Sequence, residues 1–140
     1  MKVGTNVITN DRGALNIKII KNILEQIVVL KHQYDVMLVT SGAVAAGKNL
    51  IRLTTKPDTI TKRQVFAATG QVALMSTYQR LLKNYGLHAA QVLATKEDFR
   101  DRTHYRNMQR CLTALLDNNV LPIFNENDVV KNFVYSDTTN

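Results

Sequence analysis

Val36-Met37-Leu38-Val39-Thr40-Ser41-Gly42-Ala43-Val44-Ala45-Ala46-Gly47 is the stretch on which the reading of the whole chain turns. Its first residues are apolar without alternation, the pattern of a strand buried on both faces in a parallel sheet. Ser41-Gly42 breaks that strand in a tight turn. Ala43 to Ala46 are small, helix-favouring residues, and the first N–H groups of such a helix have no partner within it. A hydroxyl, a glycine that admits a ligand to the backbone, and a helix N-terminus together suit a carboxylate or a phosphate. The alternative is an ordinary strand-to-helix turn in which Gly42 serves only its own backbone angles.

Gly42, Gly47 and Lys48 also fit the G-x-x-x-x-G-K of a nucleotide-binding P-loop, in the context after a strand that the motif requires. Asn49 stands where that motif needs Ser or Thr for Mg²⁺, and Ala43-Val44-Ala45-Ala46 has the composition of a helix already under way. The P-loop reading is therefore the weaker one. The two readings differ in what they expect of two lysines: with the P-loop set aside, Lys48 is expected to face solvent or a neighbouring helix and Lys2 to face the cleft.

At 140 residues and 45% hydrophobic content, the chain has enough apolar surface for one compact α/β unit and too much for disorder. The single cysteine, Cys111, excludes an internal disulfide framework, and no apolar run approaches the ~18 residues of a membrane span. Met1-Lys2-Val3-Gly4-Thr5 turns polar too soon for a signal peptide, so a cytoplasmic protein is expected. A formal charge of +7 favours anionic partners. Its densest feature, Arg102, Arg106 and Arg110 at i, i+4 spacing, lacks interleaved aromatics and reads as a solvated face, which argues against nucleic acid.

Along the chain, Lys2 to Thr9 reads as a short first strand followed by the turn Asn10-Asp11-Arg12-Gly13. Asn16 is the expected N-cap of a helix whose face carries Ile17, Ile20, Leu24, Ile27 and Val28, which completes a βαβ unit into Val36. Thr54 to Thr59 is a polar loop with the length of a lid. A long helix is expected from about Thr61 to Tyr85, with Gly86 at C′. Its small residues Ala67-Ala68-Thr69-Gly70 fit close packing on the sheet, and Gln71 needs a partner if buried. Leu87 to Ala94 is the next strand, closed by Thr95 as an N-cap with Asp98 in the first turn; Thr95 touching a ligand is the alternative. Thr103 to Asn118 is a helix with Cys111 packed in its apolar face. Val120 to Phe124 is a last buried strand, in which Pro122 calls for a bulge or a sheet edge. Asn125-Glu126-Asn127-Asp128 then falls beyond a strand's carboxyl end, where open α/β sheets hold ligands, although an Asn-rich turn has the same composition.

His32, His88 and His104 have no metal-ligand spacing, and no Ser, His and Asp set is evident. Lys2 with Gly4, Ser41 with Gly42, Thr95, and Asn125 with Asp128 converge near strand ends on one side of the sheet. That set offers a cation, hydroxyls, amides and carboxylates to a small zwitterionic or anionic ligand.

With these residues in place, the chain resembles the glutamate 5-kinase family of the amino acid kinase superfamily over nearly its whole length. The resemblance rests on Lys2-Val3-Gly4-Thr5, Val39 to Gly47, Ala67-Ala68-Thr69-Gly70-Gln71, Ala90-Gln91-Val92-Leu93 with Thr95 and Asp98, and Pro122-Ile123 with Asn125-Glu126-Asn127-Asp128, in the family's order. It implies a three-layer α/β/α sandwich with a mostly parallel sheet, and transfer of the γ-phosphoryl group of ATP to the side-chain carboxylate of L-glutamate, the first step of proline synthesis. In that reading Lys2 is the cation at the transferring group, and Lys2, Gly4 and Thr5 meet the nucleotide. Ser41, Gly42, Asn125, Asp128 and Asp137 bind glutamate, with Asp128 suited to its α-ammonium. Mg²⁺ arrives with ATP, and the enzyme is a homo-oligomer. The family continues past the matched stretch with a second lysine and a Gly-rich segment over the nucleotide, so residues 1–140 are expected to be a partial domain, its glutamate-binding half. An inactive ligand- or partner-binding remnant is the rival expectation.

Overall fold

The structure is a computed structural model, and it describes residues 1–130. Three strands, β1 (Leu38–Val39), β2 (Ala89–Ala94) and β3 (Leu121–Glu126), form one sheet in the order β1-β3-β2. Both pairings are parallel, with Leu38 opposite Ile123 and Gln91 opposite Ile123 from the other side. The helices are α1 (Thr5–Ile8), α2 (Ile17–Leu30), α3 (Ala43–Leu50), α4 (Thr59–Leu82), α5 (Lys96–Arg100) and α6 (Arg102–Asp117). A parallel, helix-flanked sheet is the expected class, and all three strands lie where the apolar runs place them.

The first strand is shorter than expected. Met1 to Val3 lies beside Val39 through one parallel bridge at Lys2, with Val3 N–H donating to Val39 O and Val39 N–H to Met1 O, each at 2.8 Å. The chain then coils into α1, so Val7 and Ile8, read as strand residues, are helical. Thr5 and Asn6 supply only one helical turn before Thr9, whose hydroxyl donates to Thr5 O at 2.8 Å and closes it.

One face of the sheet is fully packed. Leu38, Leu121 and Ile123 are buried against Ile20, Leu24 and Ile27 of α2 and Leu74, Tyr78, Leu81 and Leu82 of α4. The helix α2 starts as predicted, with the Asn16 side chain accepting from Ile19 N–H. The helix α4 ends in a short 3₁₀ turn, Lys83–Tyr85, and Gly86 adopts φ 67°, the left-handed C′ conformation that its place in the sequence predicts.

The other face is thinner. Phe124 and Val39 face α6 across a groove of about 440 Å³ that Phe99, Tyr105, Met108, Leu112 and Leu116 also line. No residue of α6 is buried, and Cys111 is exposed, which corrects the expectation of a packed thiol.

Pro122 occupies the central strand, against the expectation of an edge or bulge. Leu121 N–H points toward β2, donating to His88 O at 2.9 Å, while Phe124 O accepts from Thr40 N–H of β1's continuation at 2.8 Å. Alternation puts the Pro122 nitrogen on the β1 side, one residue before the β1 register begins at Leu38 and Ile123. No ladder bond is missing there.

Three exposed helix starts are capped by carboxylates. Asp58 accepts from Thr61 Oγ1 at 2.6 Å and from Ile60 and Thr61 N–H; Asp98 accepts from Thr95 N–H at 2.7 Å; Asp101 accepts from His104 N–H at 2.7 Å. The Thr61 hydroxyl, the Thr95 amide and the His104 amide are the main causes that hold the three carboxyls below their ordinary value of 3.8. A folded pKa below the unfolded one gives stability that is present above the unfolded value and lost as pH falls through the folded one. The melting temperature followed by circular dichroism is therefore expected to fall as pH drops below about 3.8, and Asp58→Asn should flatten part of that dependence. A flat melting profile across this range excludes the capping argument.

Candidate functional site

The Ser41-Gly42 turn is built from a chain of hydroxyls. Thr40 and Tyr78 are both buried, and their oxygens lie 2.6 Å apart. Thr40 Oγ1 donates to Ser41 O at 3.3 Å, so the Tyr78 hydroxyl supplies the proton between the two. Burial raises the Tyr78 phenol above 10.0, which keeps it a donor. Ser41 Oγ in turn meets Thr5 Oγ1 at 2.8 Å. Both the carbonyl and the hydroxyl of Ser41 are thus held.

Gly42 follows at φ 99°, a conformation that disfavours any side chain, and a Cβ there would meet Ile8 Cδ1 at 3.1 Å. It is the N-cap of α3, with no side-chain cap and no acidic residue in the first turn. The helix runs unbroken from Ala43 through Gly47 and Lys48 to Leu50. The segment that a P-loop would wrap around phosphates is therefore helix, and Gly47 faces α4: a Cβ on it would overlap Phe66 O.

These features open into a cleft of about 630 Å³ at the carboxyl ends of the parallel strands, the position that α/β sheets reserve for ligands. Thr5, Ser41 and Gly42 form one end. Val44, Ala45 and Lys48 of α3 make one wall, and Thr59, Lys62, Arg63 and Phe66 of α4 the other. Glu126 and Asp128, beyond β3, complete the lining.

The structure thus brings Thr5, Ser41, Gly42 and Asp128 together, as the sequence analysis expects of them. It places other expected residues elsewhere. Lys2 is exposed and, as the parallel bridge partner of Val39, shares the sheet face of Val39, outside the cleft lining. Gly4 is exposed and also outside that lining. Lys48 is exposed to solvent, as expected, but it also lines the cleft wall, which the sequence reading gives to Lys2. Asp137 lies outside the described residues.

Asn125 is buried, and its amide is committed. Its Nδ2 donates to Gln71 Oε1 at 2.7 Å, and its Oδ1 accepts Glu126 N–H at 2.9 Å. Gln71 Nε2 continues to Gln91 Oε1 at 3.1 Å. The partner that Gln71 requires is therefore Asn125, and the amide relay ties α4 and β2 to the turn that carries Asp128. Thr95 is likewise occupied, donating its hydroxyl and amide to Asp98, whose other oxygen meets His104 Nδ1 at 3.1 Å. It caps α5 and stands apart from the cleft.

Lys62, Arg63 and Phe66 are cleft residues that sequence reasoning passes over. Lys62 and Arg63 had a visible signal: they follow Asp58 within the first turns of a helix, the end at which a helix dipole disfavours cations.

Fold and site together define a parallel α/β protein whose strand-end cleft carries three basic and two acidic side chains. The chain belongs to the amino acid kinase family, whose family model, described as "Amino acid kinase family", matches residues 1–139. It is 47% identical to the glutamate 5-kinase of Chlorobaculum tepidum over 131 residues, which are 93% of this chain and 36% of that relative. It is 41% identical to the glutamate 5-kinase of Pelobacter propionicus over 143 residues, with 100% of this chain and 38% of the relative covered. The glutamate 5-kinase of Clostridium acetobutylicum is 41% identical over 140 residues, 98% of this chain and 52% of the relative. The chain therefore spans between about a third and a half of the length of these relatives. Among the described residues, no helix is long and apolar enough to cross a membrane.

Proposed function

We propose that this chain forms the glutamate-binding part of a glutamate 5-kinase, which transfers the γ-phosphoryl group of ATP to the side-chain carboxylate of L-glutamate in proline biosynthesis. The observation that carries the reading is the cleft in which Ser41, Gly42 and Asp128 meet at the strand ends of an amino acid kinase fold. In this reading the Ser41 hydroxyl and the first N–H groups of α3 hold a carboxylate, and Asp128 holds the α-ammonium. Asn125 acts by fixing the Glu126 to Asp128 turn through its bond to Glu126 N–H.

ATP supplies the transferred group, with Mg²⁺ on its phosphates. The residues of the first turn fit such a ligand: a Cβ on Gly4 would meet no atom within 4 Å, so the fold itself does not require glycine there. Gly4 leaves the backbone open to approach, and Thr5 leads from it into the cleft. Lys2, at the end of the same short strand, is the cation assigned to the transferring phosphoryl group. Among the described residues, no three His, Cys, Asp or Glu side chains cluster as a metal cage. A metal that rides on phosphate oxygens and keeps several waters needs none. A cytoplasmic, homo-oligomeric enzyme is part of the same proposal, as is a place for Asp137 on the glutamate side.

Titration of the chain with L-glutamate tests the reading. We expect saturable binding that weakens about tenfold to a hundredfold in Asp128→Ala, the effect of losing one charged hydrogen-bond partner. A folded chain that binds no glutamate would instead favour a remnant with another ligand or partner.

A further inference from the structure

The cleft holds three basic side chains, Lys48, Lys62 and Arg63, and two acidic ones, Glu126 and Asp128. Arg63, Glu126 and Asp128 each already have an interaction partner. Lys48 and Lys62 differ: among the described residues, neither ammonium lies within ion-pairing distance of a carboxylate. Both are exposed and both line the cleft.

Lys48 sits in the last turn of α3, where the helix dipole favours a cation. Lys62 stands near the start of α4, where the Asp58 carboxylate is taken up by Ile60 N–H, Thr61 N–H and the Thr61 hydroxyl and not by the lysine. The positive end of α3 opens into the same cleft with neither a side-chain cap nor a first-turn acid. The two lysines and the uncapped α3 end give the cleft positive potential around one acidic turn. A ligand carrying two carboxylates and one ammonium has the complementary charge.

Distance along α3 assigns the two carboxylates to different places. Six residues separate Gly42 from Lys48, roughly 9 Å of helix rise. The Cα–Cβ bond at Lys48 leans toward the helix N-terminus, so its side chain reaches back along the wall that Val44 and Ala45 share. One carboxylate thus belongs at the Thr5, Ser41 and Gly42 end, and the second farther along, between α3 and α4.

We infer that Lys48 and Lys62 bind the α-carboxylate of the substrate, the one that does not react, and so make the cleft selective for a free amino acid end. The inference rests on the glutamate reading above, in which the reacting carboxylate lies at the Thr5 end, next to the Gly4 turn assigned to ATP. With Asp128 on the ammonium, the lysines complete recognition of the zwitterionic end and leave the side-chain carboxylate directed to the Ser41 turn. Because both lysines are exposed, their contribution is screened by salt.

Three ligands locate the contact. L-Glutamate has both carboxylates, L-glutamine has only the α-carboxylate, and L-isoglutamine has only the side-chain carboxylate. Ligand-observed NMR titration of the 140-residue chain is compared with Lys48→Gln/Lys62→Gln, and thermal melts confirm that the variant folds. Glutamate and glutamine should each lose about tenfold to a hundredfold in affinity, while isoglutamine binds the parent and the variant equally. Lys48→Arg/Lys62→Arg should recover most of the loss. Unchanged glutamate affinity in the glutamine-substituted variant overturns the inference, and so does a loss seen with isoglutamine but not with glutamine, which would put the lysines on the reacting carboxylate. If the parent binds none of the three, the glutamate reading itself fails, a result distinct from the other two.

Discussion

Replacing Gly70 with alanine is expected to lower the melting temperature of the chain by roughly 10 °C or more, whereas Gly4→Ala leaves it unchanged. Gly70 lies where α4 crosses α3. A Cβ there would overlap Ala43 O and Gly47 N and would stand 2.7 Å from Ala43 C. Gly47 makes the reciprocal notch, since its own Cβ would lie 2.6 Å from Phe66 C. The two helices therefore touch backbone to backbone at both points. Side chains can rotate away from an inserted methyl group at a cost of about 1–3 kcal/mol, but here the obstacles are main-chain atoms on which two helices depend, so the cost lies at or above the top of that range. A domain of this size has only about 5–15 kcal/mol to lose. Gly4 is the control, because it has an ordinary φ of −85° and open space around it. Thermal unfolding of both variants checks the pair. Equal melting temperatures for Gly70→Ala and the parent would show that α3 and α4 can separate, and the two walls of the cleft would then not be fixed.

The same crossing shows where sequence reading succeeds and where it stops. Periodicity places α2, and the Asn16 cap fixes its start, because both signals act within a few residues of one another. The Ser41-Gly42 turn is legible for the same reason, since a buried strand, a left-handed glycine and small helical residues follow in immediate succession. The small residues near Gly70 signal close packing, but the expected partner, the sheet, is wrong: it is α3, whose glycine lies 23 residues earlier in the chain and which no local signal identifies. Pro122 misleads for a related reason. Proline is excluded from a ladder only where its missing N–H faces a paired neighbour, and that depends on where β1 begins. The first strand fails because Val3, Val7 and Ile8 have strand-forming side chains, yet only Met1 to Val3 finds a neighbour in Val39.

For the site, the hydroxyl and carboxylate groups are legible from their positions after strands, while the lysines are not. Ser41 and Asp128 follow directly on β1 and β3, so topology alone delivers them to one end of the sheet. Lys48 and Lys62 sit on exposed helix surface, where lysine is ordinary. Only the packing of α3 on α4 turns those surfaces into facing walls. Asn125 is misread in the other direction, because its place beyond a strand suggests a ligand contact but its amide is consumed by Gln71 and Glu126.

L-Glutamate and MgATP supplied to residues 1–140 are expected to yield no trappable γ-glutamyl phosphate, and the same polypeptide is expected to bind glutamate. Phosphoryl transfer involves little covalent chemistry for the protein and depends on several charges placed around the transferring group at once. Loss of a single such donor typically lowers turnover about a hundredfold to a thousandfold, and losses of several accumulate far beyond that. In the described cleft, the groups proposed for the amino acid are Ser41, Gly42, Lys48, Lys62 and Asp128. For the phosphates, the assigned groups are Lys2, Gly4 and Thr5, and Lys2 lies on the sheet face of Val39. The relatives named glutamate 5-kinase are roughly two to three times as long as the matched stretch, which covers 36% of one and 52% of another. Glutamate affinity needs only the contacts of the cleft itself, whereas turnover needs nucleotide and acceptor held in line. The two measurements should therefore separate, with saturable binding by titration and no hydroxamate formed when hydroxylamine is present to trap the acyl phosphate. Hydroxamate above the no-enzyme control, abolished by Lys2→Ala, would show that the groups within residues 1–140 suffice to hold both substrates for reaction.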